Sequence, residues 1–337
     1  MPISKRAGRS SAEQSSLFEL PPLALAAAAP TPEHLSWAAA LPGEVRLGTM
    51  SWSYPGWRGL VYGPEVPAGS LAQRGLSAYA EHPLLGAVEI DRSYYEPLGV
   101  ELLRAYAGQV PAGFRFLVKA HEDCTVQRYP LHARYGSKRG QLNPRYLDSS
   151  YAAEAVVGPV HSALGARLGA LLFQFSPSAQ PQTPEAFAAD LGSFLARLPR
   201  GIPYAVELRT PELLSAHYSD ALAQGGAVHC HNAWSGMPPI LTQAKQVPPL
   251  ARNPLVIRWL LAPGEVYADA RDRFRPFDRI TREDLSVRSA IARLVVKAAA
   301  RGVPALVLIN NKAEGCAPES AFRLAHAIVR AGSAAGR

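Results

Sequence analysis

GALLFQFS (169–176) is a short apolar run that ends in polar residues, and it is one of eight such runs along the chain. The others are VRLGTMSWSY (45–54), AVEIDRSYY (87–95), FRFLVKAH (114–121), PYAVELR (203–209), AVHCHNAW (227–234), PLVIRWLL (254–261) and PALVLINNK (304–312). Helix-length stretches separate the runs. Apolar strands that alternate with helices indicate a parallel sheet covered on both faces, and eight such units close a (β/α)8 TIM barrel. The sequence therefore predicts an α/β TIM barrel whose functional residues lie where the runs end.

The length of the chain fits one barrel with extensions. A TIM barrel typically needs about 250 residues, and the chain has 337. Pro, Ala and Ser dominate residues 1–43, which follow neither the strand nor the helix period clearly. We therefore predict a mostly disordered tail over 1–43 with a short helix near 33–40. A single barrel domain over 44–332 and a C-terminal tail over 333–337 complete the predicted organisation.

The composition favours a reducing compartment. Cys124, Cys230 and Cys316 are odd in number and form no C-x-x-C pair, which argues against a disulfide framework or a structural zinc site. No apolar run approaches the roughly 20 residues that cross a bilayer. Acidic and proline residues within 19–22 interrupt an N-terminal segment that otherwise resembles a signal peptide. We therefore expect a cytoplasmic protein without membrane association.

Helix boundary signals lie between the runs. TPE (183–185) and TRED (281–284) each place a threonine ahead of acidic residues, which predicts that Thr183 and Thr281 cap helix N-termini. Gly226 and Gly302 are predicted to follow helix C-termini, where glycine is enriched.

Charged and polar side chains follow the apolar runs. Alternate residues of a strand share a face, so we expect the barrel interior to receive several same-face pairs. These are Glu89 and Asp91, Lys119 and His121, Glu207 and Arg209, and His229 and His231, joined by Arg258, Asn310 and Asn311. Because burying an isolated ionised group costs several kcal/mol, these residues must pair or bind a ligand.

Two interpretations of this set remain open. In the first, the charges pair within the ring, Glu89 with Lys119 and Glu207 with Arg209 or Arg258. In the second, which we prefer because barrel strand ends hold catalytic groups, they act on a ligand. The three cations of the set exceed its two glutamates by one charge, which suits a phosphate or carboxylate. Counting the aspartate of the same rim makes the sum neutral.

A divalent metal is an alternative ligand of the same rim. His121, His229 and His231 with the three acids are ligand types for zinc or manganese. The cations of the rim would repel such an ion, and the spacing H-C-H is not a specific motif. We therefore predict no cofactor and assign no metal ligands, with a divalent ion kept as the lesser alternative.

A basic segment with tyrosines follows the third run. QRYPLHARYGSKRGQLNPRY (127–146) contains no acid, in a chain whose net charge is +8. Basic side chains interleaved with aromatic ones are typical of surfaces that bind single-stranded nucleic acid. A solvated basic loop is the simpler interpretation. The candidate nucleic-acid ligands are Arg128, Arg134, Lys138, Arg139 and Arg145.

Segments around the run ends resemble a known family. They are GTMSWSYPGWRGLVY (48–62), AVEIDRSYYEPL (87–98), FRFLVKA (114–120), LLFQFSPS (171–178), YAVELRTPE (204–212), LVIRW (255–259) and LVLINNKAEGCAPESA (306–321). In this order they resemble successive signatures of the YecE-like family, domain of unknown function 72, over 45–332. The resemblance implies a (β/α)8 barrel similar to those of xylose isomerase and endonuclease IV, and it implies no particular reaction.

The resemblance also implies where functional residues lie. Together with the charge pattern, it makes Glu89, Glu207 and Lys119 the catalytic candidates, with a glutamate as general base. The candidates for substrate binding are Trp52, Tyr54, Trp57, Tyr94, Tyr95, Gln174, Arg209, Arg258, Asn310 and Asn311.

QSSLF (14–18) resembles the Q-x-x-L-F pentapeptide by which bacterial DNA polymerases and repair enzymes dock on the sliding clamp. Leu17 and Phe18 would be apolar anchors and Gln14 a polar one, presented by a disordered tail. Only three positions are fixed, so an accidental match is the alternative.

Three functions are compatible with the sequence. The first is a nucleic-acid-associated enzyme in DNA repair, a phosphodiester hydrolase or lyase whose cations hold phosphate while aromatic side chains stack a base. The second is an enzyme that acts on a small sugar phosphate or carboxylate. The third is a non-catalytic binding module recruited by its N-terminal tail.

Overall fold

The computed structural model describes residues 25–178, 181–249, 253–261 and 264–335. In these residues, eight parallel strands form a closed barrel in chain order. The strands are β1 Val45–Thr49, β2 Ala87–Ile90, β3 Arg115–Lys119, β4 Leu168–Phe175, β5 Tyr204–Leu208, β6 Ala227–Ala233, β7 Leu255–Trp259 and β8 Ala305–Ile309. Strands β1 and β8 close the barrel, in a register that pairs Val45 with Ala305 and Thr49 with Ile309. The predicted TIM barrel is confirmed.

Helices follow the strands and surround the barrel. They are α1 Pro32–Ala40, α2 Leu71–Glu81, α3 Val100–Ala107, α4 Ser149–Ala152, α5 Gly158–Leu164, α6 Pro184–Arg197, α7 Ala216–Gly225, α8 Ile240–Gln246, α9 Tyr267–Phe274, α10 Leu285–Ala299, α11 Asn311–Glu314 and α12 Ala317–Ala335. A π-helical segment, Ala153–Val157, joins α4 to α5. Among the described residues, no helix is both long and apolar enough to cross a membrane.

The helix boundary predictions are partly confirmed. The Thr183 hydroxyl accepts a hydrogen bond from the Ala186 amide at 3.2 Å and caps α6, and Gly226 ends α7 in the left-handed conformation with φ 69°. The prediction for Thr281 is wrong. Its amide donates to the Glu314 carbonyl oxygen at 2.7 Å, which holds it in a loop, and Asp284 caps α10 instead.

Alternation along the strands divides the buried side chains into two layers. Small and aliphatic residues such as Leu117, Ala170 and Val256 fill the barrel interior. Residues at the intervening positions pack against the helices, for example Val118 and Leu171. Charged side chains occupy the interior positions nearest the carboxyl ends of the strands, so they lie above an apolar plug that closes the barrel below them.

Part of the predicted N-terminal tail is folded. The helix expected near 33–40 is present as α1, and its Trp37 ring stacks on His326 of α12 with ring centroids 4.9 Å apart. Leu25, Ala27 and Leu41 also pack against the core. The prediction of a mostly disordered tail over 1–43 is therefore wrong for 25–43, because these residues bury apolar surface on the barrel.

The two ends of the chain carry one prediction each, a C-terminal tail and an N-terminal docking motif. Helix α12 continues to Ala335, so the predicted C-terminal tail over 333–337 is wrong for its first three residues. Alanine-rich sequence favours continuation of the helix there. The clamp-docking candidates Gln14, Leu17 and Phe18 lie outside the described residues.

Candidate functional site

The carboxyl ends of the strands open into a cavity of about 710 Å³. Most of the predicted site residues line it: Trp52, Tyr54, Trp57, Glu89, Tyr94, Tyr95, Lys119, Gln174, Arg209, Arg258, Asn310 and Asn311. Glu207 does not line the cavity and lies fully buried beneath it. Further polar and aromatic side chains join the wall, among them Asp91, Arg92, Trp234, Tyr267 and Lys312. The ends of the strands therefore bring most of the predicted site residues together.

A chain of buried charges forms the floor of the cavity. Arg258 donates from Nη2 and Nε to the two carboxylate oxygens of Glu89, at 2.8 and 3.0 Å. Its Nη1 donates to Glu207, which also accepts a hydrogen bond from Arg209 Nε. Gln174 Oε1 accepts from both guanidinium groups, at 3.3 Å from Arg258 and 3.4 Å from Arg209. The two arginines and two glutamates thus neutralise one another in a bidentate network.

The two glutamates of this chain are not equivalent. Burial raises the pKa of Glu89 above its usual value, and Arg258 offsets part of that rise. Burial acts on Glu207 as well, but the fields of Arg209 and Arg258 outweigh it and hold the pKa of Glu207 below its usual value. Glu207 is therefore an ionised structural partner with no contact to the cavity. The prediction that it is a catalytic base finds no support in this position.

Lys119 forms a separate pair at the cavity wall. Its Nζ donates to Asp91 Oδ1 at 3.1 Å and lies 4.0 Å from the centroid of the Tyr94 ring. The expected pairing of Lys119 with Glu89 is wrong, because Lys119 pairs with Asp91 while both oxygens of Glu89 accept hydrogen bonds from Arg258. Asp91 immediately follows β2, and its side chain is 44% exposed. It therefore both pairs with Lys119 and lines the cavity.

Lys312 is a cavity residue that the sequence reasoning missed. It is buried, and its Nζ contacts Asn310 Oδ1 at 3.2 Å and lies 4.3 Å from the centroid of the Tyr267 ring. Among the described residues no carboxylate forms an ion pair with it. Strand alternation could not place this side chain, since Lys312 follows β8 in the short helix α11. The signal was the cation at the end of the run PALVLINNK (304–312).

Aromatic side chains form the upper wall of the cavity. Tyr95 and Tyr267 are exposed at its mouth. The guanidinium carbon of Arg209 lies 4.2 Å from the centroid of the Trp234 ring. Trp57 differs from the prediction because it is completely buried and donates from Nε1 to Asn311 Oδ1 at 3.3 Å. That amide oxygen also accepts from the Ala317 amide, so Trp57 and Asn311 brace the wall instead of presenting free groups.

The candidate metal-ligating histidines lie outside the cavity. On β6 the interior position belongs to Cys230, so His229 and His231 point toward the helices. His229 contacts Tyr218 and Gln243 there. His121 turns away after β3 and contacts the Tyr151 hydroxyl at 2.7 Å. The expectation that these histidines share the rim with the acids is wrong. Within the described ranges, no three His, Cys, Asp or Glu side chains are grouped to hold a metal ion.

The basic segment folds back on the barrel, and acids that precede it pair with its cations. Arg134 pairs with Glu122. Arg145 pairs with Asp123 at 3.3 Å. Tyr129, one of the expected stacking platforms, is buried and donates to Asp123 at 2.9 Å.

The remaining predicted nucleic-acid ligands also make internal contacts. Arg128 donates to the Gly140 carbonyl oxygen, and Arg139 donates to that of Gly136 at 3.0 Å. Lys138 Nζ lies 5.3 Å from the Tyr129 ring centroid. The segment is thus an ordered part of the barrel mouth whose positive charge is partly neutralised.

Comparison with known proteins identifies the family. The profile described as "Protein of unknown function DUF72" matches residues 46–335. A DUF72 family protein from Enterococcus faecalis V583 (EF0366) is 19% identical with a TM-score of 0.58, over 84% of this chain and 95% of that one. A DUF72 family protein from Thermotoga maritima MSB8 (TM1631) is 17% identical to this chain, with a TM-score of 0.57. The match covers 83% of this chain and 97% of that protein. No curated protein matches significantly. The predicted family resemblance is confirmed, and the chain belongs to the DUF72 family.

Proposed function

We propose that this barrel is an enzyme that acts on a small anionic organic molecule, with a phosphate or carboxylate group held by Lys119 and Lys312. The observation that carries this proposal is the position of Lys312 in the cavity wall. It is a buried ammonium group for which the described residues supply an amide oxygen and an aromatic face but no carboxylate. Burying a cation without a counter-charge is costly, and a bound anion would remove that cost.

The charge balance of the cavity supports an anion. Arg258 and Arg209 are neutralised by the glutamates of the floor, and Lys119 by Asp91. Two cations of the described lining remain without an ion pair, the exposed Arg92 and the buried Lys312. A phosphate or carboxylate accepts hydrogen bonds from several ammonium donors at once, so it matches this arrangement.

Glu89 is the acid–base residue of the proposal. Its carboxylate lines the cavity, burial raises its pKa, and each oxygen keeps a lone pair beside its bond from Arg258 that can take a proton. Glu207 holds Arg258 in place from below and is assigned a positioning role. The aromatic side chains of the mouth would pack against the organic part of the substrate next to its anionic group.

The narrower hypothesis of a long nucleic-acid substrate has less support. Arg134 and Arg145 pair with Glu122 and Asp123, which reduces the charge available to phosphates. A cavity enclosed by a barrel mouth suits a small molecule better than a continuous strand. The docking of residues 14–18 on a sliding clamp stays a prediction.

A ligand screen tests the proposal. Thermal shifts with sugar phosphates, nucleoside monophosphates and dicarboxylates should include a stabilising anion, because a ligand that binds the native state raises the melting temperature. Lys312→Met should weaken its binding at least about tenfold, since a hydrogen bond to a charged group contributes roughly 1.5–3 kcal/mol. Lys297→Met, on the exposed face of α10, is the matched control and should leave affinity unchanged. Equal affinity in wild type and Lys312→Met would reject the proposal.

A further inference from the structure

A second cavity of about 270 Å³ adjoins the first one. It lies outside the barrel interior, between the basic segment and the loops that follow β4 and β5. Tyr94 and Ser176 line both cavities, so their side chains form the wall between the two spaces. A molecule bound in the first cavity therefore has an adjacent space within reach.

The second cavity is aromatic like the wall of the first, but its described lining lacks the carboxylates of the first. Tyr135, Tyr146, Phe175 and Phe187 line it, with Phe175 and Phe187 packed edge to face at 5.1 Å. Prolines contribute further apolar surface, and Thr210 adds a hydroxyl. Its cations are the arginines Arg128 and Arg134. Aromatic walls with flat guanidinium groups bind planar rings, and the lysines of the first cavity suit a compact anion.

Arg134 connects the two spaces. Its guanidinium carbon lies 4.9 Å from the centroid of Tyr95, which lines the first cavity, and 4.4 Å from that of Tyr135, which lines the second. The pairing of Arg134 with Glu122 fixes its position between these rings. A stacked guanidinium offers a flat, cationic face along the route from one cavity to the other.

We propose that the second cavity is a subsite for a planar aromatic ring carried by the same ligand whose anionic group occupies the first. The substrate class is then a phosphorylated or carboxylated compound with an aromatic ring on a linker, such as a nucleoside monophosphate. This inference rests on the proposed function, because the anion places the ring.

Two probes that differ by a ring test the subsite. Dissociation constants of ribose 5-phosphate and adenosine 5′-monophosphate are measured by calorimetry on the full chain. Stacking contributes about 1–3 kcal/mol per ring, so wild type should bind the ring-bearing probe at least about fivefold more tightly. Thr210→Trp fills the second cavity and should remove this advantage while leaving ribose 5-phosphate affinity unchanged. Thr210→Ser is the conservative control and should keep the advantage.

The outcomes separate the two proposals. If ribose 5-phosphate binds but the ring adds no affinity, or if Thr210→Trp keeps the full advantage, the subsite is rejected and the anion site stands. If Lys312→Met weakens the binding of both probes equally while Thr210→Trp weakens only that of the ring-bearing probe, the anion site and the subsite are both supported. If neither ribose 5-phosphate nor adenosine 5′-monophosphate binds wild type, the subsite is rejected, and the ligand screen with Lys312→Met decides the anion site. A melting scan of each variant identifies any that fails to fold, and Leu213→Trp then replaces Thr210→Trp at the same cavity.

Discussion

Arg258 connects side chains from opposite sides of the barrel. It lies on β7, and its two acidic partners lie on β2 and β5. Removing its guanidinium leaves the buried Glu89 without its partner and leaves Glu207 with Arg209 alone. Breaking a buried ion pair from one side typically costs about 3–5 kcal/mol, because the remaining charge is uncompensated.

Arg258→Met should therefore lower the free energy of unfolding by about 3–5 kcal/mol, measured by urea denaturation at neutral pH. Arg104→Met is a matched control, because it removes an arginine that pairs with Glu101 on the surface. An exposed pair contributes about 0–1 kcal/mol, so the control should unfold near the wild-type midpoint. A similar, small effect of both substitutions would show that the buried network does not stabilise the fold.

The sequence allowed the members of this network to be predicted but not their partners. Alternation puts Glu89, Lys119 and Arg258 on the face opposite to their apolar neighbours in each strand, because it depends only on backbone geometry. Partner choice depends on how far each side chain reaches across the barrel, which no local pattern encodes. Arg258 is long enough to reach Glu89 across the interior, and Lys119 then pairs with Asp91.

At the scale of elements, β6 shows where alternation is ambiguous. His229, Cys230 and His231 are all buried, because one face of the strand meets the interior and the other meets the helices. Alternation groups the two histidines together but does not say which face they share. Their partners Tyr218 and Gln243 come from α7 and α8, so only the tertiary structure decides the choice.

The contact between β1 and β2 depends on a glycine. Gly48 pairs with Ala87 in the strand register, and a Cβ at Gly48 would collide with the Ala87 carbonyl. Because that atom belongs to the backbone, it cannot move without disturbing the barrel ladder. We expect Gly48→Ala to destabilise the barrel by at least about 3 kcal/mol, at the upper end of overpacking effects.

The measurement for this prediction is the unfolding midpoint in urea, with Gly43→Ala as control. A Cβ at Gly43 has nothing within 4 Å, so that substitution should change stability by less than about 1 kcal/mol. Wild-type stability in Gly48→Ala would mean that β1 and β2 can separate locally at no cost.

At the scale of the whole molecule, the sequence predicted the barrel better than its attachments. Eight apolar runs define the barrel because each carries its own signal. The packing of α1 depends on contacts between Trp37 and His326, which lie at opposite ends of the chain. The charge of the basic segment is likewise balanced by Glu122 and Asp123, which precede it. Long-range pairs of this kind leave no periodic pattern.

Three buried histidines should make the whole molecule sensitive to acid. Burial lowers the pKa of His82 to about 4, that of His229 to about 4 and that of His231 to about 3. In the unfolded chain a histidine has a pKa of about 6.5. Between about pH 6.5 and pH 4 the unfolded state therefore binds more protons than the native state, so stability falls as the pH falls through this window.

Each of these histidines should contribute up to about 1.4 kcal/mol of lost stability per pH unit. Urea unfolding at pH 7, 6 and 5 measures the slope, and His229→Gln should reduce it by the share of one group even if it also lowers stability at pH 7. His217→Gln, exposed on α7, is the control and should leave the slope as in wild type. Because the slope reports proton uptake and not packing, an unchanged slope in His229→Gln would mean that His229 takes up no proton on unfolding in this window, which its complete burial argues against.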